Sequence, residues 1–117
     1  MAAASTTKLF VRIAGLSGAS AIGLGTYGAH VLKTKEGKEH EMVAFDSANR
    51  YHFYHSLALL GVPMCRRPNV VGGLMVTGMT LFCGTMYYYA ITSDATFIKL
   101  APTGGVTLIA AWIAMLL

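Results

Sequence analysis

Twenty-two consecutive residues, Val70 to Ile91, contain no charged side chain. A helix rises about 1.5 Å per residue, so about 20 apolar residues cross the roughly 30 Å hydrocarbon layer of a bilayer. This run therefore predicts a membrane-spanning helix. The composition agrees, because 55% of the residues are hydrophobic and only 12% are charged, against roughly 25% charged in soluble domains. A chain of 117 residues has room for one small bundle and no second domain.

Polar links and turn residues divide the chain into four apolar segments. The helices are expected at about 13–32, 42–63, 70–91 and 101–117, joined by short connections that make neighbours antiparallel. Pro63 and Pro68 flank the basic turn before the third helix, and Pro102 suits the first turn of the fourth. The sequence thus predicts an all-α, multi-pass (polytopic) membrane protein with four transmembrane helices in a compact antiparallel bundle.

A short basic arm, residues 1–12, precedes the first predicted helix. It contains Lys8 and Arg12, and the first acidic residue of the chain is Glu36. Such a composition is typical of mitochondrial targeting segments, which favours the mitochondrial inner membrane, with another cellular membrane as the alternative. A secretory signal cleaved near Ala19-Ser20-Ala21 competes, but we expect a retained first helix. The flanking Lys and Arg residues, four against five, do not decide the orientation.

Small residues recur along the predicted helices and indicate helix packing. In the first helix, Gly15-Ala19-Gly23 and Ala21-Gly25-Ala29 are spaced four apart, which lets another helix backbone approach closely. The competing explanation is that glycine is simply commoner in membrane helices. In the third helix, Gly72, Gly73, Gly78 and Gly84 give a further small-residue surface. The glycines singled out for helix contacts are Gly15, Gly18, Gly23, Gly25, Gly28, Gly73, Gly84, Gly104 and Gly105.

The first half of the second helix is polar. Asp46 and Arg50 are one turn apart with the acid first, so an interfacial ion pair is expected there, in the headgroup zone. Intramembrane ionisable groups are costly and mark a functional site by default. The residues expected to form a polar intramembrane cluster are His30, Asn49, His52, His55 and Ser56.

Three interpretations of the histidines compete. Neutral imidazoles can hydrogen-bond across helices and fix their register, which is the interpretation we favour. The spacing of His52 and His55 would also suit two metal ligands, but no cysteine or second carboxylate completes a set, so no metal is expected. A proton or solute path along the same side chains is the third.

Other chemistry finds little support in the sequence. The basic residues are scattered without a stripe, which excludes a nucleic-acid surface. Cys65 and Cys83 lack the CxxC spacing of a redox motif, and phosphate-binding loops, HExxH and GxSxG motifs are missing. We therefore expect neither catalytic activity nor a cofactor.

Four segments resemble the small membrane proteins called transmembrane protein 256 in animals, whose bacterial relatives carry a domain of unknown function. They read GTYGAHVL at 25–32, YHFYHSLALL at 51–60, LFCGTMY at 81–87 and APTGG at 101–105, with Trp112 following. The resemblance runs from about Gly15 to Leu117 and leaves out the first twelve residues. It implies a four-helix membrane protein without an established enzymatic activity or an agreed role for these motifs.

The expected function is that of a non-catalytic accessory or structural subunit, packed against a larger complex of the mitochondrial inner membrane, with a respiratory-chain complex as the candidate. The expected partners are lipid and other membrane subunits, and a homo-oligomer stays open. The alternative is a small oligomeric transporter or channel, because four helices in one copy leave only a narrow pore. Its polar path would use Asn49, His52, His55 and Ser56, with His30 near its end.

Overall fold

A computed structural model describes residues 2–117, with side chains from Ser5 onward, and contains four long helices. They are α1 (Ala2–His30), α2 (Glu39–Leu59), α3 (Pro68–Thr92) and α4 (Ala101–Ala114). Short 3₁₀ turns at Leu32–Thr34, Val62–Met64 and Ile98–Leu100 lie in the connections. No strand occurs in the described chain, so the all-α prediction is confirmed.

The first helix begins before the predicted position. No glycine or proline precedes Gly15, so nothing interrupts α1, and the segment expected to be a separate arm belongs to it. Phe10 is buried, and its ring fills the space beside Gly72 of α3, where a Cβ would lie 2.1 Å from the ring. The N-terminal part of α1 thus contributes to the core.

Successive helices run antiparallel. Ser17 lies beside Ser56 and Gly28 beside Phe45 in the contact of α1 with α2, so residue numbers rise on one helix as they fall on the other. The same opposition holds between α2 and α3, and between α3 and α4. Within the described chain, α1 and α4 make no extensive contact with each other. The most extensive contacts are therefore those between helices that are adjacent in the chain.

The buried apolar side chains form two clusters. One contains Phe10, Leu59, Met75 and Leu108 and joins all four helices towards the start of α1. The other surrounds Phe45 near the opposite end, and its buried members are Leu32, Phe45, Ala48, Cys83, Tyr87 and Ala90. The first cluster is shared by all four helices, whereas no described residue of α4 belongs to the second.

A π-helical turn at Thr80–Gly84 interrupts α3. Such turns hold one more residue than an α-helical turn and occur mostly as single insertions. The backbone of Leu81 and Phe82 lies against Gly104 of α4, where a Cβ would lie 2.4 Å from the Phe82 nitrogen. The turn thus sits where α3 and α4 approach most closely.

Much of the outside of the bundle is apolar. Two segments, Ser5–Thr34 and Pro68–Thr92, are long and apolar enough to cross a membrane by length and composition. Only 17% of the most apolar part of the first segment is buried, whereas the core helix of a soluble protein is mostly buried. The helix α2 is more polar and α4 is shorter, so length and composition support two of the four predicted crossings. Large exposed apolar side chains include Leu16, Ile22, Leu57, Val106, Ile109, Ile113 and Leu116.

Candidate functional site

Asn49 of α2 joins three helices. Its side-chain nitrogen donates to the Ala21 carbonyl of α1 at 2.9 Å and to the Tyr87 hydroxyl of α3 at 3.0 Å. Its oxygen faces Gly25, where a Cβ would lie 3.1 Å away. Both amide hydrogens are therefore used, and a bare backbone at Gly25 makes room for the side chain.

His52 continues this network by one step. Its Nδ1 lies 2.9 Å from the Tyr87 hydroxyl. The Asn49 amide nitrogen can only donate, so the hydroxyl oxygen accepts from it and the hydroxyl hydrogen is left for His52. Nδ1 consequently accepts, and the neutral imidazole carries its proton on Nε2. Asn49, Tyr87 and His52 thus form one directed chain of hydrogen bonds.

Two serines complete what we call the polar cluster: Ser17, Asn49, His52, Ser56 and Tyr87. The Ser56 hydroxyl donates to the His52 carbonyl at 2.7 Å, within its own helix. Its oxygen lies 2.5 Å from the Ser17 hydroxyl of α1, which therefore donates across the contact. The cluster ties α2 to α1 and α3 through side chains that have their partners inside the bundle.

His55 belongs to a different contact. Its Nδ1 lies 2.7 Å from the Tyr51 carbonyl, and the Trp112 indole of α4 donates to its Nε2 at 3.0 Å. A carbonyl only accepts and an indole only donates, so Nδ1 carries the proton and the ring is neutral. Both nitrogens are occupied, which leaves no lone pair for a metal ion.

Four of the five predicted cluster residues thus lie on the buried side of α2, but His30 does not join them. His30 is exposed and stands two residues beyond Gly28, which packs on Phe45. Phe45 is seven residues from His52, or about 10 Å along α2. Tyr87, Ser17 and Trp112 were not predicted as partners. Tyr87 is the first of three consecutive tyrosines, Tyr87-Tyr88-Tyr89, and nothing in that run distinguishes the one that faces α2.

Two clefts adjoin these contacts. One, of about 330 Å³, opens between α1 and α3, and apolar side chains line most of it. Its polar lining residues are Ser17, Ser20, His52, Thr80 and Tyr87. The other, of about 390 Å³, lies between α2 and α4 around His55 and Trp112. Among the described residues, every buried side-chain nitrogen and oxygen has a hydrogen-bond partner, and no three metal-ligating residues come together.

The predicted packing glycines divide into two groups. Gly25, Gly28, Gly104 and Gly105 lie against neighbouring helices. A Cβ would meet nothing within 4 Å at Gly15, Gly18, Gly23, Gly73 and Gly84. Gly72 and Gly78 of α3 also make close contacts: a Cβ on Gly72 would meet Phe10, and one on Gly78 would meet Leu108.

The predicted ion pair between Asp46 and Arg50 is not formed. Both side chains are exposed, and the Arg50 guanidinium lies 6.0 Å from the centre of the Tyr51 ring. The ion pair at the start of α2 is instead Lys38 with Glu41, at 3.6 Å. These two residues belong to a small polar group that includes Ser93.

Glu41 links the start of α2 to the end of α3. It accepts from Tyr89 and Ser93, each at 3.3 Å, across the contact with α3. Burial raises the pKa of Glu41, but its hydrogen bonds and the charge of Lys38 lower it more, so the pKa lies below its ordinary value. Glu41 is therefore held in its charged form.

The chain matches, over residues 24–105, the family described as "Protein of unknown function (DUF423)". It belongs to the DUF423 family. A UPF0382 membrane protein of Staphylococcus aureus is 31% identical over 115 residues, covering 94% of this chain and 93% of that protein. A UPF0382 membrane protein of Schizosaccharomyces pombe is 31% identical over 112 residues, covering 89% and 95%. A third, YwdK of Bacillus subtilis, is 31% identical over 113 residues, covering 91% of each.

These relatives place the DUF423 chain among membrane proteins and confirm the predicted membrane location at that level. The predicted kinship with small membrane proteins of a family of unknown function is likewise confirmed. The resemblance to transmembrane protein 256 of animals stays a prediction. No solved structure matches the chain.

Proposed function

We propose that this DUF423 protein is a non-catalytic, multi-pass membrane protein whose four helices all cross the bilayer and which binds laterally to a larger membrane assembly as an accessory subunit. The observation that carries the proposal is an unoccupied small-residue face on α1. This face is formed by Gly15, Ala19 and Gly23, which are all exposed. A Cβ at either glycine would meet nothing within 4 Å.

The opposite side of α1 supports this interpretation. There Ala21, Gly25 and Gly28 pack on α2, so the helix uses one small-residue face inside the bundle and leaves the other open. In lipid, helices associate through such close backbone approach because burial of apolar surface gives no net advantage. The open face therefore suits a helix of another subunit.

The four-crossing topology is supported by the antiparallel order of the helices. Because α2 lies between the two apolar helices, any membrane that contains α1 and α3 also contains α2. The helix α4 packs along α3 at Gly78 and Gly104. Its 14 residues span only about 21 Å, so local thinning of the bilayer or a partner must cover its ends.

We place the protein in the mitochondrial inner membrane and favour a respiratory-chain complex as the assembly. The support is the basic, acid-free composition of residues 1–12. The Staphylococcus and Bacillus relatives come from cells without mitochondria. The fold shared with these relatives is therefore not specific to mitochondria, and the proposed location depends on residues 1–12 alone.

Native separation after mild detergent extraction tests the proposal. The tagged wild-type protein should migrate within a larger assembly, and Gly23→Leu should release it because the side chain fills the close approach. Ala29→Leu is the matched control, since Ala29 is also exposed on α1 but lies off the Gly15-Ala19-Gly23 line. A wild-type protein that always migrates alone, as monomer or homo-oligomer, would contradict the proposal.

The transporter alternative has less support from the site. Asn49, Ser56 and both nitrogens of His55 are engaged in hydrogen bonds between or within helices. A conducting path would need those side chains to exchange partners with water or solute. A proton or metal flux in reconstituted vesicles that is lost in His52→Ala would favour this alternative over the accessory subunit.

A further inference from the structure

Arg50 lies at the middle level of both apolar helices. On α1 the stretch between Arg12 and Lys33 has its centre near Ile22, and Asn49, beside Arg50, bonds the Ala21 carbonyl. On α3 the uncharged segment Pro68–Thr92 has its centre at Thr80, and Tyr51, on the other side of Arg50, packs on Phe82 with ring centres 5.0 Å apart.

This level differs from the headgroup zone expected for the ion pair. Asp46 is one turn away, beside Phe45, which contacts Gly28 and Tyr87. Gly28 is about six residues from the centre of the α1 stretch, or about 9 Å. Half of the hydrocarbon layer is about 15 Å, so Asp46 also lies within it.

Both charged side chains point away from the bundle. We define the outer face of α2 by its exposed residues Val43, Asp46, Arg50, Tyr54 and Leu57. Asp46 has no hydrogen bond or ion pair with the rest of the described chain. A charged group that faces lipid at this depth is strongly unfavourable, and such groups almost always face protein or a water-filled cavity. The outer face of α2 therefore requires a covering partner.

We propose that this partner is a second copy of the chain, paired through the outer face of α2 so that Asp46 of each copy binds Arg50 of the other. The face carries one acid and one base of its own, which is the self-complementary pattern that a twofold interface needs. The pairing rests on the transmembrane placement proposed above and uses a helix other than the one proposed to bind the assembly.

The geometry of a twofold pair suits these two residues. Copies inserted in the same direction are related by an axis along the membrane normal, so their α2 helices run side by side and parallel. Asp46 and Arg50 differ by about 6 Å along the helix, and adjacent helix axes lie about 8–10 Å apart. The long Arg50 side chain covers that offset, and two equivalent ion pairs form.

Disulfide trapping in native membranes tests the interface. In a Cys65→Ser, Cys83→Ala background, Val43→Cys should give a covalent dimer on mild oxidation. Val106→Cys on α4 is the matched control, because Val43 is 67% exposed and Val106 is 66% exposed. A dimer yield several-fold higher for Val43→Cys supports the interface, and equal yields overturn it.

A charge experiment separates pairing between copies from pairing within one helix. Asp46→Arg leaves two positive charges on the face, and Arg50→Asp leaves two negative ones, so each variant alone should lose the Val43→Cys dimer. Co-expressed with different tags, the two should recover a mixed dimer, although neither can form the pair within its own helix. Failure of the mixed dimer to form, with both variants membrane-inserted, overturns the proposed ion pair.

Failure of the α2 pairing is distinguishable from failure of the proposed function. If carbonate washing without detergent releases the wild-type protein, the transmembrane placement fails and this interface fails with it. If the wild-type protein resists carbonate and migrates in an assembly but gives no α2 dimer, only the pairing of copies is wrong.

Discussion

The bundle holds its helices together in two different ways. Between α1 and α2, hydrogen bonds from Ser17 and Asn49 accompany the close approach at Gly28. Between α3 and α4, the contact rests on Gly78 and Gly104, and no side-chain hydrogen bond joins these two helices in the described chain. One contact is specified by polar groups and the other by the absence of side chains.

The two contacts should therefore fail differently. Removing one group from a polar contact in lipid costs only a modest free energy, because the remaining groups find other partners. A backbone contact cannot be partly lost, because an added side chain has nowhere to go unless the helices separate. Substitutions in the two regions test this difference.

The largest effect is expected at Gly104. In Gly104→Ala the new Cβ would lie 2.4 Å from the Phe82 nitrogen and 2.8 Å from the Leu81 carbonyl carbon, and backbone atoms cannot rotate away. We expect a loss of about 3 kcal/mol in the free energy of unfolding, measured in detergent by circular dichroism. Gly73→Ala, with nothing within 4 Å, is the control and should cost nothing. Equal stability of the two variants would refute the backbone contact.

The hydrogen-bond chain should give the next largest effect. Tyr87→Phe removes the hydroxyl that accepts from Asn49 and donates to His52, and we expect a cost of about 1 kcal/mol. Asn49→Ala should cost a similar amount, and the double variant should cost less than the sum because the two groups share one bond. Tyr88→Phe, whose hydroxyl bonds the exposed Asp94, is the control. Strict additivity would mean that the bond contributes nothing.

A smaller effect is expected for the link between α2 and α4. Trp112→Phe leaves the His55 Nε2 without its donor in an apolar cleft, at a cost of about 1 kcal/mol or less. The double variant His55→Phe, Trp112→Phe removes both partners and should recover most of that loss in thermal unfolding. If the double variant is as unstable as the sum of the singles, packing rather than hydrogen bonding holds this link.

The smallest effect is expected from pH. The pKa of Glu41 is lower in the folded protein than its ordinary value of 4.5, so its contribution is present above that pH and is lost as the pH falls through the folded value. Thermal unfolding from pH 7 downward should show a small destabilisation that Glu41→Gln reduces. Hydrogen bonds from Thr96 and Tyr88 also lower the pKa of Asp94. Asp94→Asn therefore serves as the comparison, and an unchanged pH profile in Glu41→Gln would contradict the assignment.

The sequence predicted the helices well because charge and hydropathy act over whole segments. The predicted 70–91 and the observed Pro68–Thr92 differ by two residues or fewer at each end. The α2 end was placed four residues late, because Val62–Met64 forms a 3₁₀ turn rather than a further α-helical turn. Segment composition identifies a span but not the shape of its last turn.

The contacts of single residues were harder to predict. Gly72 and Gly73 were both expected on a packing surface, but the structure packs only Gly72, against Phe10, and leaves Gly73 open. Adjacent residues differ by about 100° around a helix, so the facing residue depends on a rotation that the sequence does not state. The level of Arg50 along the bundle was missed for a related reason, since polarity alone suggested a position near the helix end. Only the register with α1 and α3 shows that Arg50 lies midway along them.

The π-helical turn at Thr80–Gly84 has a consequence for how the chain tolerates insertions and deletions. Its extra residue rotates the second half of α3 about the helix axis. Before the turn, Gly78 packs on α4, and after it, Tyr87 bonds to α2. Removing one residue there would restore a regular spiral and swing Tyr87 roughly a quarter-turn off its partner. A single-codon deletion at this place would thus turn the Tyr87 hydroxyl away from Asn49 and His52.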